Sequence, residues 1–145
     1  MKKDNKQKYK FLEHTADVKF QAYGKTLNEV FKNAALAVAE TMARESKIKA
    51  VKKKKIRVQG KRDLESLLFN FIEEILYLVE AENFVIAKVV SVKVNEKNLT
   101  LSAEFSGDNA DKYPLDHIKA ATYSEIYVKK IDKGMGWEAQ TVVDV

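Results

Sequence analysis

The two ends of this chain carry acids whose chemistry suits a metal ion. Residues 137–145 form a strand-like run in which the Asp144 side chain stands beside the terminal carboxylate of Val145. Asp17 lies near the other end, where the first strand is predicted to begin. Carboxylate oxygens are the ligands that hard cations such as Ca²⁺, Mg²⁺ or Mn²⁺ prefer. If the fold brings the ends together, Asp17, Asp144 and Val145 would form a hard-cation site.

The same acids also have a structural interpretation. Asp17 could be a turn or capping residue, and Asp144 could be an exposed acid near a chain end. A cluster of three negative charges would be costly without a cation or a lysine. On spacing alone, the structural interpretation is the stronger one.

Two further side chains are candidates. Lys119 begins a predicted strand after an acid-rich loop, and it could contact a phosphate or pair with the acid cluster; otherwise it is an ordinary surface lysine. His14, beside Thr15 and Asp17, could be a general base or a metal ligand, or a structural hydrogen-bonding residue. No nucleophile is placed near His14, so we expect no catalytic residue here.

Composition excludes several classes of protein. The 145 residues include no Cys and only 2 His, which excludes disulfides, thiol catalysis and Cys- or His-rich metal sites. No apolar run approaches the roughly 20 residues that cross a membrane. Residues 1–8 lack the apolar segment of a secretory signal. We therefore expect a soluble cytoplasmic protein without a membrane partner.

The net charge of +5 favours polyanionic partners, RNA among them. Much of the excess lies in the N-terminal segment and in the lysine run at 52–55. Lysines on an exposed edge strand also protect against aggregation, and a charge run is commonly a solvated face. Both interpretations of the basic residues stay open.

The pattern of apolar residues predicts one domain of the α+β class, with largely antiparallel β-sheets and two main helices packed on them. Residues 1–9 are expected to be a disordered basic tail, and residues 10–145 the domain. Thr26 is predicted to cap the first helix, with Glu29 completing a capping box. Asp63 is predicted to cap a largely apolar second helix that runs to about Ala81.

The second half of the chain is predicted to be almost entirely β. Alternating apolar residues predict an antiparallel meander. Its strands are expected at 84–94, 99–105 and 118–128 and in the terminal run. Residues 107–116 are predicted to be a polar loop.

Several short segments, in this order and at this spacing, resemble the archease family. The resemblance covers about residues 10–145. It is carried by HTADV at 14–18, AYG at 22–24, FKNAA at 31–35, IKAATY at 118–123, Trp137, and the ending VVDV at 142–145.

The resemblance implies an accessory protein of tRNA splicing. Archeases activate the RtcB-type RNA ligase, which joins a 2′,3′-cyclic-phosphate or 3′-phosphate end to a 5′-hydroxyl end, using GTP and Mn²⁺ through a guanylylated histidine. The activator speeds guanylylation, supports multiple turnover and broadens nucleotide use. It performs no covalent chemistry itself, so the resemblance implies no enzyme. The implied partners are this ligase and, through it, tRNA.

The resemblance also implies a metal site at Asp17, Asp144 and Val145, which reverses the preference drawn from spacing. Ca²⁺ is the ion expected in the isolated protein, with Mn²⁺ or Mg²⁺ as alternatives. Lys119 matches a family lysine linked to ligase activation, and His14 is a possible supporting residue. Ser124 stands where the family often has a histidine, so a second His is not expected to complete the site. After the HTADV segment the family often has Gly followed by an apolar residue, where this chain has Lys19 and Phe20.

Two other functions remain as alternatives. A basic RNA-binding module acting in tRNA processing would bind RNA without the ligase and weaken steeply with salt. Scattered lysines without a surface aromatic platform argue against it. A metal-dependent hydrolase would need a nucleophile activator and an enclosed pocket, and the sequence shows neither.

Overall fold

Helices and strands alternate in the first half of the chain, and a β-rich second half follows, as the α+β prediction requires. A computed structural model describes residues 7–13, 17–131, 134 and 136–145. In chain order these residues form β1 (Tyr9–Leu12), β2 (Asp17–Gly24), α1 (Leu27–Ala43), β3 (Lys52–Gln59), α2 (Leu64–Glu82), β4 (Phe84–Asn95), β5 (Thr100–Asn109), a short 3-10 helix (Ala110–Lys112), β6 (Ala120–Ala121), β7 (Tyr127–Lys130) and β8 (Trp137–Asp144). Among the described residues, regular structure begins at Tyr9, one residue before the predicted domain boundary.

The strands form two antiparallel sheets. The terminal sheet has the order β1-β2-β8-β6, with β7 also paired to β8, and the hairpin sheet has the order β3-β5-β4. The single meander predicted for the second half is wrong. The β4–β5 hairpin pairs with β3, whereas β6, β7 and β8 join the first two strands of the chain. Strand alternation does not reveal this division, because it identifies a face and not a partner.

Both helices begin at the predicted caps. The Thr26 hydroxyl accepts a hydrogen bond from the Glu29 amide at 3.1 Å, but the Glu29 carboxylate accepts from the Lys25 amide at 2.6 Å. In the predicted capping box the Glu29 carboxylate would accept from the Thr26 amide. It accepts instead from the amide one residue earlier. At α2 the Asp63 carboxylate accepts from the Ser66 amide, and the Ser66 hydroxyl accepts from the Asp63 amide. Within the described residues, no helix is both long and apolar enough to cross a membrane.

The helices and both sheets share one hydrophobic core. α1 contacts β2 and β4, while α2 contacts β3, β4, β6 and β7. Phe71 of α2 lies at the centre, with its ring centroid 6.2 Å from that of Phe31 on α1 and 6.3 Å from that of Phe105 on β5. All three side chains are 0% exposed. Phe71 thus joins the two helices to the hairpin sheet.

Truncating this central ring should be among the most destabilising single changes. We expect Phe71→Ala to lower the free energy of unfolding by about 3–5 kcal/mol, since a buried aromatic ring is lost and a cavity is left. Urea denaturation measures the change. Tyr77→Ala, on the same helix but 53% exposed, is the control and should change stability by only about 0.5 kcal/mol. Equal effects of the two substitutions would contradict this account of the core.

A buried carboxylate holds the end of β5. Asp108 is 2% exposed and accepts hydrogen bonds from the Tyr113 hydroxyl at 2.7 Å and the Asn109 amide at 2.7 Å, and Lys112 lies 3.3 Å away. The Tyr113 hydrogen bond, helped by Asn109 and Lys112, holds the pKa of Asp108 below its usual value, although burial acts in the opposite direction. The predicted polar loop at 107–116 is thus wrong at its start, where the chain is strand and 3-10 helix.

The lowered pKa of Asp108 should make stability depend on acid pH. The folded pKa lies below the unfolded one, so the stabilisation is present above the unfolded pKa and is lost as pH falls through the folded pKa. We expect Asp108→Asn to flatten the fall in unfolding free energy below about pH 4, measured by urea titrations across the acid range. Asp111→Asn, which removes an exposed acid of the 3-10 helix, should retain the parent slope. An Asp108→Asn slope as steep as the parent's would argue against this role.

Candidate metal centre

The pairing of β2 with β8 brings the predicted acids together. Asp17 is the direct cross-strand partner of Asp144, and Val18 is the partner of Val143. These residues come from opposite ends of the chain. The condition on which the metal-site prediction depended, that the ends meet, therefore holds for the two aspartates.

The two carboxylates project from the same face of the sheet. The carbonyl groups of Asp144 and Val142 accept hydrogen bonds from the Lys119 amide at 2.7 Å and the Thr122 amide at 3.2 Å, on the side of β8 away from β2. Asp17 and Asp144 are therefore a non-hydrogen-bonded antiparallel pair. In such pairs the Cα atoms lie about 4.5 Å apart and the side chains approach most closely.

This pair lies on the open face of the terminal sheet. Asp17 and Asp144 are partly buried, whereas Val143 on the other face is 0% exposed and, with Val18, packs in the core. The alternation places the aspartates away from the hydrophobic core. Both aspartates are therefore partly exposed, while buried neighbours such as Val143 hold the strands that carry them.

Lys119 lies at the same end of the sheet. Its amide donates to the Asp144 carbonyl, its neighbour Ala120 is the register partner of Asp144, and its side chain is exposed. Helix α2 supports this segment, because the Glu73 carboxylate accepts from the Ala121 amide at 2.7 Å. The structure thus places the Lys119 backbone next to the Asp144 backbone, at the end of the sheet that carries the carboxylate pair.

The single strand predicted at 118–128 is wrong. The registers Ala121↔Val143 and Tyr127↔Gln140 leave residues 122–126 opposite only residues 141 and 142, so the strand breaks into β6 and β7.

Helix α2 holds the chain on both sides of the break. The Tyr123 ring stacks on Phe69 with centroids 4.1 Å apart, and the Glu65 carboxylate accepts from the Val128 amide at 2.8 Å. Contacts from a helix distant in sequence therefore replace regular pairing at this edge.

The remaining predicted residues differ in how far they can be placed. Val145 directly follows β8, and its side chain is 40% exposed. His14 lies outside the described residues. Within the described part of the chain, no group of three or more His, Cys, Asp or Glu side chains could hold a metal ion. The predicted site has two such side chains, and its third ligand would be the main-chain carboxylate of Val145.

The donor set fits a hard divalent cation. Like charges placed directly opposite across an antiparallel pair repel, at a cost of roughly 0.2–1 kcal/mol. A cation bound to both carboxylates would remove that repulsion, and oxygen donors suit Ca²⁺, Mg²⁺ or Mn²⁺. Asp17 and Asp144 can therefore supply two ligands without any change in the strand register.

A polar network further along the same face, around the Gln21–Gln140 pair, was not predicted from the sequence. The Gln21 amide donates to the Tyr127 hydroxyl at 3.2 Å and to the Gln140 side chain at 2.9 Å, and Tyr23 donates to Gln21 at 2.8 Å. Tyr127 also donates to Glu138, and burial followed by this hydrogen bond raises the pKa of Tyr127. The sequence does show polar residues at alternate positions of β2 and β8. Which of these residues contact one another can be predicted only when the strand register is known.

Comparison with known proteins decides the family. Residues 9–145 match the profile of the "Archease protein family (MTH1598/TM1083)". The chain belongs to the archease family. "Protein archease" of Methanosarcina acetivorans is 40% identical over 95% of this chain and 96% of its own length, and that of Sulfurisphaera tokodaii is 39% identical over 96% and 99%. The solution structure of Methanobacterium thermoautotrophicum protein 1598 matches with a TM-score of 0.76 and 29% identity, over 94% of this chain and 98% of that one. The predicted α+β archease fold is therefore confirmed.

If the archease carboxylate pair binds Ca²⁺, the ion should stabilise the folded chain. At a Ca²⁺ concentration about 100 times the dissociation constant, linkage raises the free energy of unfolding by about 2.7 kcal/mol. We expect the thermal midpoint to rise on replacing EDTA with Ca²⁺, and Asp144→Asn to abolish the rise. In EDTA, Asp144→Asn should equal or slightly exceed the parent in stability, because one of two opposed charges is gone.

Glu96→Gln is the matched control, since it removes an exposed acid from the hairpin loop. It should retain the full response to Ca²⁺. A Ca²⁺ response that persists in Asp144→Asn would place the ion elsewhere.

Proposed function

We propose that this archease is a non-catalytic activator of an RtcB-type RNA ligase in tRNA splicing. Asp17, Asp144 and the Val145 carboxylate hold a divalent cation, and Lys119 contacts the ligase. The observation that carries the proposal is the cross-strand pairing of Asp17 with Asp144, with the Lys119 backbone hydrogen-bonded to Asp144. Family membership supports the choice of partner.

The donor set leaves room for a partner. Ca²⁺ takes six to eight oxygen ligands, and Mg²⁺ takes about six. Asp17, Asp144 and Val145 fill only part of such a shell. When bound, the cation would supply a positive charge that joins these carboxylates to an anionic group of the ligase or its nucleotide. Stimulation of guanylylation would follow from such a contact without any covalent chemistry on the archease.

The rest of the open face supports a docking role. Lys19 forms an ion pair with Glu125 at 2.7 Å, and the Gln140 amide donates to the Glu125 carbonyl at 2.8 Å. Together with the hydrogen bonds of Gln21 and Tyr127, these contacts hold polar side chains in fixed positions on the same face as the aspartates. A preorganised polar surface loses little conformational freedom on binding. We infer that this face is the surface that meets the ligase.

A guanylylation assay of the cognate ligase with GTP and Mn²⁺ tests the proposal. We expect the parent chain to stimulate the reaction, and Asp17→Asn and Asp144→Asn to reduce the rate to that of ligase alone. Lys119→Ala should lose about tenfold or more of the stimulation, as expected for the loss of a charged hydrogen bond worth about 1.5–3 kcal/mol. Because the ligase itself uses Mn²⁺, the site is tested with variants and not by chelation.

The controls separate the parts of the proposal. Lys119→Ala should keep the thermal response to Ca²⁺, and Glu96→Gln should stimulate like the parent. A chain without Val145 that still stimulates fully would remove the terminal carboxylate from the ligand set and leave the activator role intact. Absence of stimulation by the parent would refute the activator role, and phosphoester turnover by the isolated protein would favour the hydrolase alternative.

A further inference from the structure

The hairpin sheet presents a second open face, and this face is strongly basic. On β3 the exposed cations Lys53, Lys55 and Arg57 occupy alternate positions opposite the core residue Val58, and the strand register adds two exposed lysines of β4 to the same face. The cross-strand rows across the sheet are Arg57–Ser102–Lys93, Lys55–Glu104–Ser91 and Lys53–Ser106–Lys88. We call this surface the basic face.

Most of these cations lack an intramolecular partner. Within the described residues, Lys55, Arg57, Lys88 and Lys93 have no side-chain hydrogen bond or ion pair. Lys53 reaches only Glu104, at 3.9 Å. Cations that share one face repel one another unless an anion is bound, so this arrangement does not stabilise the fold.

The lysines on the other side of the same strand are satisfied. Lys54 forms an ion pair with Glu82 at 2.6 Å, and Lys52 donates to the Asn109 side chain at 2.5 Å. Protection of an exposed edge would explain the β3 lysines of either face equally well. Edge protection applies to β4 as well, because β4 is the other edge of this sheet, but it does not distinguish the lysines that have partners from those that have none.

The centre of the basic face is polar. Strand β5 presents Ser102, Glu104 and Ser106 there, between the cations of β3 and those of β4, so one carboxylate stands among the cations. Open depressions lie on this surface, lined by Arg57, Lys93 and Ser102 among others. Since β3 and β4 flank β5, the cations of β3 stand roughly 9–10 Å from those of β4, twice the strand spacing.

We propose that the basic face binds the sugar–phosphate backbone of duplex RNA. Lys, Arg and Ser side chains are the groups that contact phosphate oxygens and sugars. None of the described aromatic residues occupies a position in these rows, so the face offers no platform for base stacking. Duplex RNA is bound by shape and through its backbone, which such a surface can supply. The inference goes beyond the activator role and does not rest on it.

Fluorescence anisotropy with a labelled RNA duplex of about 16 base pairs tests the inference on the isolated chain. The parent should bind at low salt and weaken steeply as salt rises. The triple variant Lys55→Ala/Arg57→Ala/Lys93→Ala should bind about tenfold or more weakly, with a salt slope smaller by about one unit for each residue that contacts a phosphate. The matched control is Lys25→Ala/Lys47→Ala/Lys61→Ala, which removes equal charge from exposed positions outside the face and should retain most of the affinity.

A second variant tests the same face independently, in case the triple variant does not fold. Ser102→Glu places one negative charge at the exposed centre of the face and should weaken binding in the same direction. Both variants are checked by thermal unfolding. Asp144→Asn, on the other sheet, should bind RNA like the parent, so failure of RNA binding and failure of ligase activation are distinguishable.

Three results would overturn the inference. The parent could fail to bind the duplex at low salt. The face variant and the matched control could lose affinity equally, which would mean a general charge effect. Polyglutamate could compete as well as RNA of equal charge, which would assign the face to an acidic protein instead.

Discussion

The antiparallel pairing of β2 with β8 is the constraint on which the rest of the structure depends. It joins segments separated by nearly the whole chain, and closing so long a loop costs conformational entropy. Burial on the core face offsets that cost: Phe20 and Ala22 of β2 and Ala139 and Val143 of β8 are at most 1% exposed. The apolar face therefore fixes the register, and the register places Asp17 opposite Asp144 despite their repulsion.

Helix α2 has two roles in this arrangement. Its apolar side packs in the core through Phe71, and its Glu65 and Glu73 carboxylates accept from backbone amides of β7 and β6. A two-residue strand such as β6 has little stability of its own. Lys119 is thus held beside Asp144 partly by a helix that lies elsewhere in the sequence. The position of Lys119 is a property of the core as well as of the strand.

Local patterns predicted much of the fold. A helix cap and the alternation of a strand each depend on residues only a few positions apart. The caps at Thr26 and Asp63 and the alternation in the later strands could therefore predict the helices, most of the strands and the α+β class. The division into two sheets and the break at 122–126 could not be, because strand partners and the α2 carboxylates are distant in sequence. The same reason applies to the candidate site: spacing shows that Asp17 and Asp144 are acids near strand ends, and only the register shows that they meet.

The two open faces carry different candidate binding groups. Each lies on the side of its sheet away from the shared core, with the Asp17–Asp144 pair near Lys19 on the terminal sheet and, among the described residues, cations without partners on the hairpin sheet. At physiological ionic strength, screening over about 8 Å weakens the interaction between charges on such separate surfaces. The lysines of the basic face therefore do not neutralise Asp17 and Asp144, which keep their attraction for a cation. Arg57 and Lys93 likewise keep theirs for phosphate. One small domain can then hold an RNA backbone on one sheet while the other sheet meets a protein partner.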